Sequence, residues 1–438
     1  MATLSMKRVI GTALLGLALS APAIHAKDAP VDGQLPLEEL RLFADIFNQI
    51  RNSYVDEVND RELLENAIRG LLEGLDPHSA YLDASSYDHL QTNTTGEFGG
   101  LGLEVSMENG FVKVIAPIDD SPALEADLRA GDLIIELDDK QVKGMSLQEA
   151  VELMRGPQGT KIVLTIVREG INAPFEVTLT RKIITVRSVR SKTLEPGFGY
   201  LRVAQFQTKT AEDFRRELDK LKHANKPLKG VIIDLRNNPG GLLQSSIQLA
   251  DIFLNDGTIV YTEGRVPSSK AVFKASSTEP ADTTPLVVLI NGGSASASEI
   301  VAGALQDHKR ALVVGTQSFG KGSVQTVLPL TQERAIKITT ARYFTPNGRS
   351  IQAQGILPDI EIQRARIQPL GKEAEITEAD LHGHLSREDG EESTSRSRKK
   401  DGRSEASLAE SDNQLFEALN LLKGIYLMGQ RVPLKATE

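Results

Sequence analysis

A serine and a lysine in this chain stand at a spacing that supports nucleophilic catalysis. Ser296 lies in the segment Ser294–Glu299 (SASASE), Lys321 follows 25 positions later, and Gln325 comes four residues after the lysine. A serine hydroxyl is a weak nucleophile until a neighbouring base takes its proton, and a lysine amine can be that base only when it is neutral. The pair therefore predicts a Ser-Lys dyad that attacks a carbonyl carbon.

The lysine needs an unusual environment for this role. Its reference pKa of about 10.4 must fall by roughly 3 units before the amine acts as a base near neutral pH, and burial among apolar side chains has this effect. Val324, Val327 and Leu328 are candidates for the apolar walls. Gln325 lies an even number of residues from Lys321, so on a strand the two side chains share one face and the amide can orient the amine.

A glycine turn upstream supplies candidate oxyanion donors. Gly230–Gly241 (GVIIDLRNNPGG) has the pattern of a buried strand that feeds a tight turn, where Gly240 and Gly241 can adopt conformations closed to other residues. Backbone amides aimed from this turn can bind a developing oxyanion, and the amide of Ala297 is the natural second donor. The alternative is a strand end whose glycine turn has no chemical role.

The serine segment follows another apolar strand. Leu286–Ile290 is ended by Asn291-Gly-Gly, and a helix is predicted to begin within the serine segment. The positive end of that helix would favour negative charge on the attacking oxygen. On this pattern alone Ser294, Ser296 and Ser298 all compete for the role of nucleophile, and a small-residue loop without chemistry also explains the Ser-Ala repeat.

Residues 95–181 resemble a PDZ domain in the order and spacing of their motifs. The sequence has Phe98–Leu103 (FGGLGL), then Ser121-Pro-Ala, then Leu128–Asp132, then Leu153–Arg155. The glycines allow successive backbone amides to form a nest for a terminal carboxylate, and an exposed strand edge can accept an added peptide strand. The residues predicted to bind a peptide are Gly100, Leu101, Gly102, Leu103 and Arg155.

Four motifs together resemble the carboxy-terminal processing proteases, also called tail-specific proteases. They are Asp234–Gly241 (DLRNNPGG), Ser294–Glu299, Gly320-Lys321 with Gln325, and Thr339–Ile351 (TTARYFTPNGRSI). The resemblance implies that Ser296 is the nucleophile, Lys321 the base and Gln325 the residue that orients it, with Gly240 or Gly241 and Ala297 as the oxyanion site. It also implies a serine endopeptidase whose PDZ domain selects substrates by their C-terminus.

The resemblance carries further expectations about regulation and partners. In such enzymes the PDZ domain is similar to a movable gate, and Arg155 is a candidate sensor of the bound tail. Family members in Gram-negative periplasms often work with a lipoprotein adaptor built of tetratricopeptide repeats and degrade cell-wall hydrolases. Homo-oligomer formation through the terminal helices is a further expectation.

The first 26 residues have the pattern of a secretory signal peptide. Lys7 and Arg8 precede an apolar run from Val9 to Leu19, and small residues follow as far as Ala26. Cleavage after Ala23 or after Ala26 fits, and an uncleaved N-terminal membrane anchor is the alternative. The chain has no cysteine, which excludes a lipid-attachment cysteine and disulfides. A bacterial periplasm is the predicted compartment.

Length and charge narrow the class of protein. The 438 residues, 40% of them hydrophobic, suffice for two or three domains. A formal net charge of −9 argues against a nucleic-acid partner, and no histidine pair has metal-ligand spacing. No cofactor or metal is predicted.

The predicted fold is a multidomain α/β protein with N-terminal helices and a disordered charged tail before a C-terminal helix. The core blocks alternate apolar strands with helices, which is typical of an α/β layer structure. The predicted divisions are the signal peptide (1–26), an N-terminal helical region (27–94), the PDZ domain (95–181), the protease core (182–370), a disordered linker (371–410) and a C-terminal helix (411–438).

Helices at both ends are predicted from apolar spacing. Apolar residues recur at intervals of three and four from Leu37 to Tyr54, and a second helix covers Glu62 to Glu73. Ser411-Asp412 can cap a last helix. For the N-terminal helices the alternatives are packing on their own domain or a dimer contact, and for the last helix they are docking on another subunit or folding back.

Two other functions compete with the protease. One is an inactive scaffold in which only the PDZ domain binds peptides. The other is an acyl-CoA hydratase or isomerase, because a glycine-turn oxyanion hole on an α/β sheet also suits thioester enolates. The export signal and the PDZ motifs count against the CoA enzyme.

Overall fold

The computed structural model of the chain describes residues 36–118, 120–276, 281–367, 382 and 408–431. The predicted signal peptide and most of the predicted linker 371–410 lie outside these residues. The chain divides into two compact units between Ile68 and Arg69.

The first unit contains helix α1 (Leu37–Ser53) and the start of helix α2 (Asp60–Glu73). Both helices lie where the apolar spacing predicted them, and α2 ends at the residue before Gly74. None of the residues of α1 is buried. Most of its large apolar side chains therefore form a solvent-exposed stripe. They are Leu37, Leu40, Leu42, Phe43, Ile46 and Ile50.

The second unit holds the remaining helices and all strands of the described residues. Its helices are α3 (Ala84–Thr95), α4 (Pro122–Glu125), α5 (Leu147–Met154), α6 (Thr210–Ala224), α7 (Leu243–Asp251), α8 (Ala297–Asp307) and α9 (Asn413–Arg431). Its first nine strands are β1 (Ala80–Leu82), β2 (Glu97–Gly100), β3 (Leu103–Glu108), β4 (Phe111–Pro117), β5 (Leu133–Leu137), β6 (Lys140–Gln141), β7 (Lys161–Val167), β8 (Phe175–Thr180) and β9 (Lys182–Thr185). The others are β10 (Val189–Glu195), β11 (Phe198–Val203), β12 (Gly230–Asp234), β13 (Thr258–Glu263), β14 (Ala271–Lys274), β15 (Leu286–Ile290), β16 (Leu312–Gly315), β17 (Ser323–Pro329), β18 (Ala335–Phe344) and β19 (Ile360–Glu361).

The PDZ-like part is one sheet with its own core. Its strands run in the order β3-β4-β5-β7-β8, with β6 paired to β5, and β3 is an edge strand. Alternate residues of β7 point inward, since Ile162, Leu164 and Ile166 are at most 1% exposed. Helices α4 and α5 complete this layer, and β2 pairs separately with β9.

A six-stranded sheet forms the centre of the larger core. Its order is β10-β11-β12-β15-β16-β19, and all pairs after β10-β11 are parallel. Strands β12 and β15 are buried along their whole length because both faces of the sheet are covered. On β12, Val231 and Ile233 join the core cluster that includes residues of α6, α7 and α8, while Ile232 joins the cluster that includes α9.

A second sheet contains β17, the strand that follows Lys321. In it β18 lies between β17 and β13, β1 pairs with the start of β18, and β14 pairs with β13. The strand β1 from the predicted N-terminal region therefore belongs to the sheet that holds β17. None of the helices in the described part of the chain is long and apolar enough to span a membrane.

The last helix folds back onto its own sheet. Leu415, Ala418, Leu419 and Leu422 of α9 are at most 3% exposed and pack with residues of β12 and β15. The carboxylate of Asp412 caps the helix by accepting a hydrogen bond from Leu415 N at 3.1 Å. This apolar face is occupied within the chain, so of the two alternatives for the last helix the structure has the folded-back one.

Leu419→Ala tests the packing of this helix. We expect a loss of about 2–5 kcal/mol in the free energy of unfolding, because the variant leaves a cavity under a fully buried side chain. The loss is measured as a lower midpoint of thermal unfolding. Met428→Ala, on the same helix but 62% exposed, is the matched control and should leave the midpoint unchanged. Equal midpoints for both variants would contradict the folded-back packing.

Candidate active site

Ser296 occupies a strained position at the start of α8. Its backbone has φ 56° and ψ −113°, a conformation that residues other than glycine rarely adopt. Ser294 and Ser298 are fully buried, and their hydroxyls donate to the carbonyls of Leu235 at 2.8 Å and Asn238 at 3.0 Å. Ser296 is the partly exposed one of the three serines. Accessibility therefore distinguishes Ser296 from its two neighbours.

The carboxylate of Glu299 ties the serine segment to the lysine segment. Its Oε2 accepts from the backbone amides of Ser296 at 2.7 Å and Lys321 at 2.9 Å. Its Oε1 accepts from Ser318 Oγ at 2.5 Å and the amide of Gly320 at 2.7 Å. Burial raises the pKa of Glu299 above its ordinary value, although these four hydrogen bonds oppose the shift. A single side chain thus fixes the two predicted catalytic residues relative to each other.

Tyr343 contacts both the lysine and the serine of the site. Its hydroxyl donates to the carbonyl of Lys321 and lies beside the Ser296 side chain. Burial raises the pKa of Tyr343 well above its ordinary value, so the hydroxyl stays protonated and acts as a donor. The backbone of Lys321 is held by Glu299 at its amide and by Tyr343 at its carbonyl.

The amine of Lys321 is half-buried and makes no polar contact with the described residues. Among the described residues none forms a hydrogen bond or an ion pair with Lys321 Nζ. Burial lowers the pKa of the amine and the positive charge of Lys337 lowers it further, while Asp76 opposes them. Of the predicted apolar walls, Val324 packs against the core, whereas Leu328 is 45% exposed.

The alternation of side chains along a strand does not relate Lys321 to Gln325 as predicted. Strand β17 begins at Ser323, after the lysine, and its pairing with β18 has a bulge between Val324 and Gln325. An even sequence interval does not place two side chains on one face across such a bulge. The amide Nε2 of Gln325 donates to Ser323 Oγ at 2.9 Å and to Thr339 Oγ1 at 3.3 Å.

Two of the predicted oxyanion donors, Gly240 and Ala297, lie next to the serine. A methyl group on Gly240 would approach Ser296 Cβ at 2.8 Å and Ala297 N at 3.0 Å, so only glycine allows this contact. The amide of Gly240 donates to Asn238 Oδ1 at 2.9 Å. The amides of Gly241 and Ala297 have no acceptor among the residues that the structure describes, as expected for Ala297 at a helix N-terminus. Ala297 and Gly241 are therefore the amides that this structure leaves free for an oxyanion.

The predicted peptide-binding residues lie at one end of the PDZ-like sheet. The carbonyls of Leu101 and Gly102 accept from Ala123 N and Ile118 N, and their amides have no acceptor in the described part of the chain. Leu103 begins the edge strand β3. Arg155 stacks its guanidinium 4.9 Å from the centre of the Phe98 ring.

The sequence analysis missed four residues around the lysine. Glu299 and Tyr343 lie within two of the motifs, whereas Asp76 and His78 lie outside every motif. The pattern Ser296-x-x-Glu299 is a capping-box signal that would have predicted the Glu299 contact with the serine amide. Only folding brings Asp76 and His78 close to Lys321, so the local sequence has no signal for them.

Glu299→Gln tests the role of this carboxylate. The amide turns an NH₂ group toward backbone and hydroxyl donors, and a lost hydrogen bond to a charged group costs about 1.5–3 kcal/mol. If this loss acts on the reactive geometry, labelling of Ser296 by a fluorophosphonate should slow about 10- to 150-fold. The rate is measured by mass spectrometry of the labelled serine. Glu333→Gln, in an exposed turn, is the control; equal rates in both variants would show that Glu299 has no such role.

Comparisons with known proteins identify domains in this chain. A model of peptidase family S41 matches residues 197–362, a PDZ domain model matches residues 113–168, and a model described as the activating protease CtpB N-terminal domain matches residues 13–86. A solved structure of a photosystem II D1 C-terminal processing protease is 31% identical, with a TM-score of 0.43 over 74% of this chain and 93% of that chain.

Two relatives establish the family. The carboxy-terminal-processing protease of Bartonella bacilliformis is 49% identical over 355 residues, which cover 80% of this chain and 81% of the relative. The carboxyl-terminal-processing protease of Synechocystis sp. is 39% identical over 365 residues, which cover 78% and 84%. With such identity across most of both sequences, the chain belongs to the carboxy-terminal processing proteases of peptidase family S41, and it is a serine-type peptidase that carries a PDZ domain.

Proposed function

We propose that the protein is a periplasmic endopeptidase that uses a Ser296-Lys321 dyad and recognises the C-terminal tails of protein substrates. The observation that carries this proposal is the shared contact with Glu299 Oε2, which accepts from the amides of both residues. It holds a partly exposed serine and a lysine with a lowered pKa at one place.

The chemistry follows from these groups. Ser296 Oγ attacks the carbonyl carbon of the scissile peptide bond while Lys321 Nζ takes the hydroxyl proton, and the carbonyl oxygen becomes an oxyanion. In this proposal the amides of Ala297 and Gly241 bind that oxyanion, and the N-terminus of α8 adds its positive dipole end. Lys321 then gives its proton to the leaving amine, and water, activated by the same amine, hydrolyses the acyl-enzyme.

The lysine must turn before this sequence begins. Within the described residues no hydrogen bond joins Lys321 Nζ to Ser296 Oγ, although the backbones of both are fixed. Four rotatable bonds separate the fixed backbone of the lysine from its amine. A bound substrate that covers the site removes water from the amine and favours its neutral form.

Assembly and location are parts of the same proposal. The periplasmic location rests on the sequence of the first 26 residues. The exposed apolar stripe of α1 favours a homo-oligomer through this helix, because such stripes are typical of contacts between proteins. A tetratricopeptide-repeat adaptor and cell-wall hydrolases as substrates remain predictions from the family resemblance.

Ser296→Ala and Lys321→Ala test the dyad. Each should lower the cleavage of unfolded casein by about 10³-fold or more, because the nucleophile and its base act as one unit. Cleavage is measured by the release of peptides, and bound casein is measured separately by co-sedimentation. Ser298→Ala loses only a structural hydrogen bond and is the control that keeps activity. Normal cleavage by Lys321→Ala would reject the dyad, and identical behaviour of wild type and Ser296→Ala would favour the scaffold alternative.

Recognition of a C-terminus has its own test. A fluorescent peptide that ends in alanine should bind the Ser296→Ala protein about tenfold or more tightly than the same peptide with a C-terminal amide. The free carboxylate accepts charge-assisted hydrogen bonds from the backbone nest, and the amide does not. Fluorescence anisotropy gives both dissociation constants. Equal affinities would rule out carboxylate recognition while leaving the dyad intact.

A further inference from the structure

A chain of hydrogen bonds leads from Gln325 to a carboxylate outside the predicted site. Gln325 Nε2 donates to Thr339 Oγ1 at 3.3 Å, and Thr339 Oγ1 donates to Asp76 Oδ1 at 3.1 Å. The other oxygen of Asp76 accepts from Ser79 Oγ at 2.6 Å, and that hydroxyl accepts from Thr339 N at 3.1 Å. Asp76 and Ser79 precede β1, which pairs with β18, so the contact depends on the pairing of distant segments.

The carboxylate of Asp76 determines which groups donate and which accept in the hydrogen bonds that link Asp76, Thr339 and Gln325. Burial alone would raise the pKa of Asp76, but hydrogen bonds from Ser79, His78 and Thr339 hold it below its ordinary value. An ionised carboxylate only accepts hydrogen bonds. Thr339 must therefore give its one hydroxyl hydrogen to Asp76, and it can only accept from Gln325.

The orientation of the Gln325 amide follows from this. Asn and Gln amides can face either way, and their hydrogen-bond partners decide which. Both Nε2 hydrogens of Gln325 have hydroxyl acceptors, Thr339 and Ser323. The amide oxygen is therefore the group that remains available for a lysine amine. An oxygen binds the N–H groups of the amine and leaves its lone pair for the serine proton, whereas a reversed amide would donate to that lone pair.

We propose that Asp76, acting through Thr339, is a positioning residue that sets the Gln325 amide for the Lys321 base. This inference rests on the proposed dyad. The proposal assigns a role to the segment Asp76–Ser79, which lies at the edge of the second sheet far in sequence from the motifs of the site. It also gives a role to the hydroxyl of Thr339 on β18, which forms hydrogen bonds with both Gln325 and Asp76.

Charged groups from several elements face the lysine. They are Lys337 on β18, and Asp76 and His78 before β1, while Glu299 and Tyr343 hold its backbone. The pKa of His78 is lowered by burial and by Lys321, so this ring is neutral above its lowered pKa. Asp76 is thus the anion that opposes loss of the lysine proton, and removing its charge should make the amine neutral at lower pH.

Two kinds of variant separate geometry from charge. Thr339→Val keeps the shape but removes the hydroxyl, and Thr339→Ser keeps the hydroxyl. Asp76→Asn keeps an oxygen for the amides of His78 and Ser79 but removes the charge. The measurement is the rate of fluorophosphonate labelling of Ser296 as a function of pH, which needs no knowledge of the natural substrate. Thermal unfolding of each full-length variant confirms that it is folded.

The expected results differ between the variants. Thr339→Val should label about five- to tenfold more slowly at every pH, and Thr339→Ser should restore the rate. Asp76→Asn should move the rise of the rate with pH toward lower pH. A purely structural role predicts no shift of the pH profile.

The opposite results would reject the positioning role, the dyad or both. If Lys321→Ala is inactive but Thr339→Val labels like wild type and Asp76→Asn leaves the pH profile in place, only the positioning role is rejected. If Lys321→Ala labels normally, the dyad and this inference both fail. A Thr339→Val protein that does not fold leaves the decision to the pH profile of Asp76→Asn, where an unmoved profile rejects the proposal.

Discussion

The buried carboxylate of Glu299 is the interaction on which the site depends. It accepts four hydrogen bonds, two from the segment that carries Lys321 and one from the amide of Ser296, with Ser318 as the fourth donor. A carboxylate that is completely buried is costly unless each oxygen is satisfied. The two segments cannot move apart without leaving this group unsatisfied, so the cost of burying it becomes a constraint on the geometry of the serine and the lysine.

The layers around the central sheet make that constraint rigid. Strand β15 leads directly to the serine segment and β12 leads to the glycine turn, and both are buried on two faces. Helix α9 covers one of these faces, and Arg236 links it to the turn by pairing with both Asp234 and Asp412 at 2.7 Å. Close packing of this kind permits little displacement. The serine segment and the glycine turn therefore follow strand ends that the core holds in place.

Local sequence predicted the parts of the site, and tertiary pairing decided how they meet. The strands β12 and β15 and the start of α8 follow from apolar runs and glycine turns, and the spacing of Ser296 and Lys321 predicted a reactive pair. The orientation of Gln325 did not follow, because a bulge in β17 breaks the alternation of side chains. Asp76 could not be found either, since it reaches Thr339 only through the pairing of β1 with β18 across more than 250 residues.

In the proposed dyad the amine of Lys321 must satisfy two opposing demands. It has to be desolvated enough to lose its proton, and it has to move to the serine and later to the leaving group. The structure separates these demands between backbone and side chain: Glu299 and Tyr343 hold the amide and the carbonyl of the lysine, while the amine has no partner among the described residues. Asp76 favours the charged amine and burial favours the neutral one. Covering the site with substrate adds desolvation without changing the charge of Asp76, so this balance favours the neutral base when a peptide is in place.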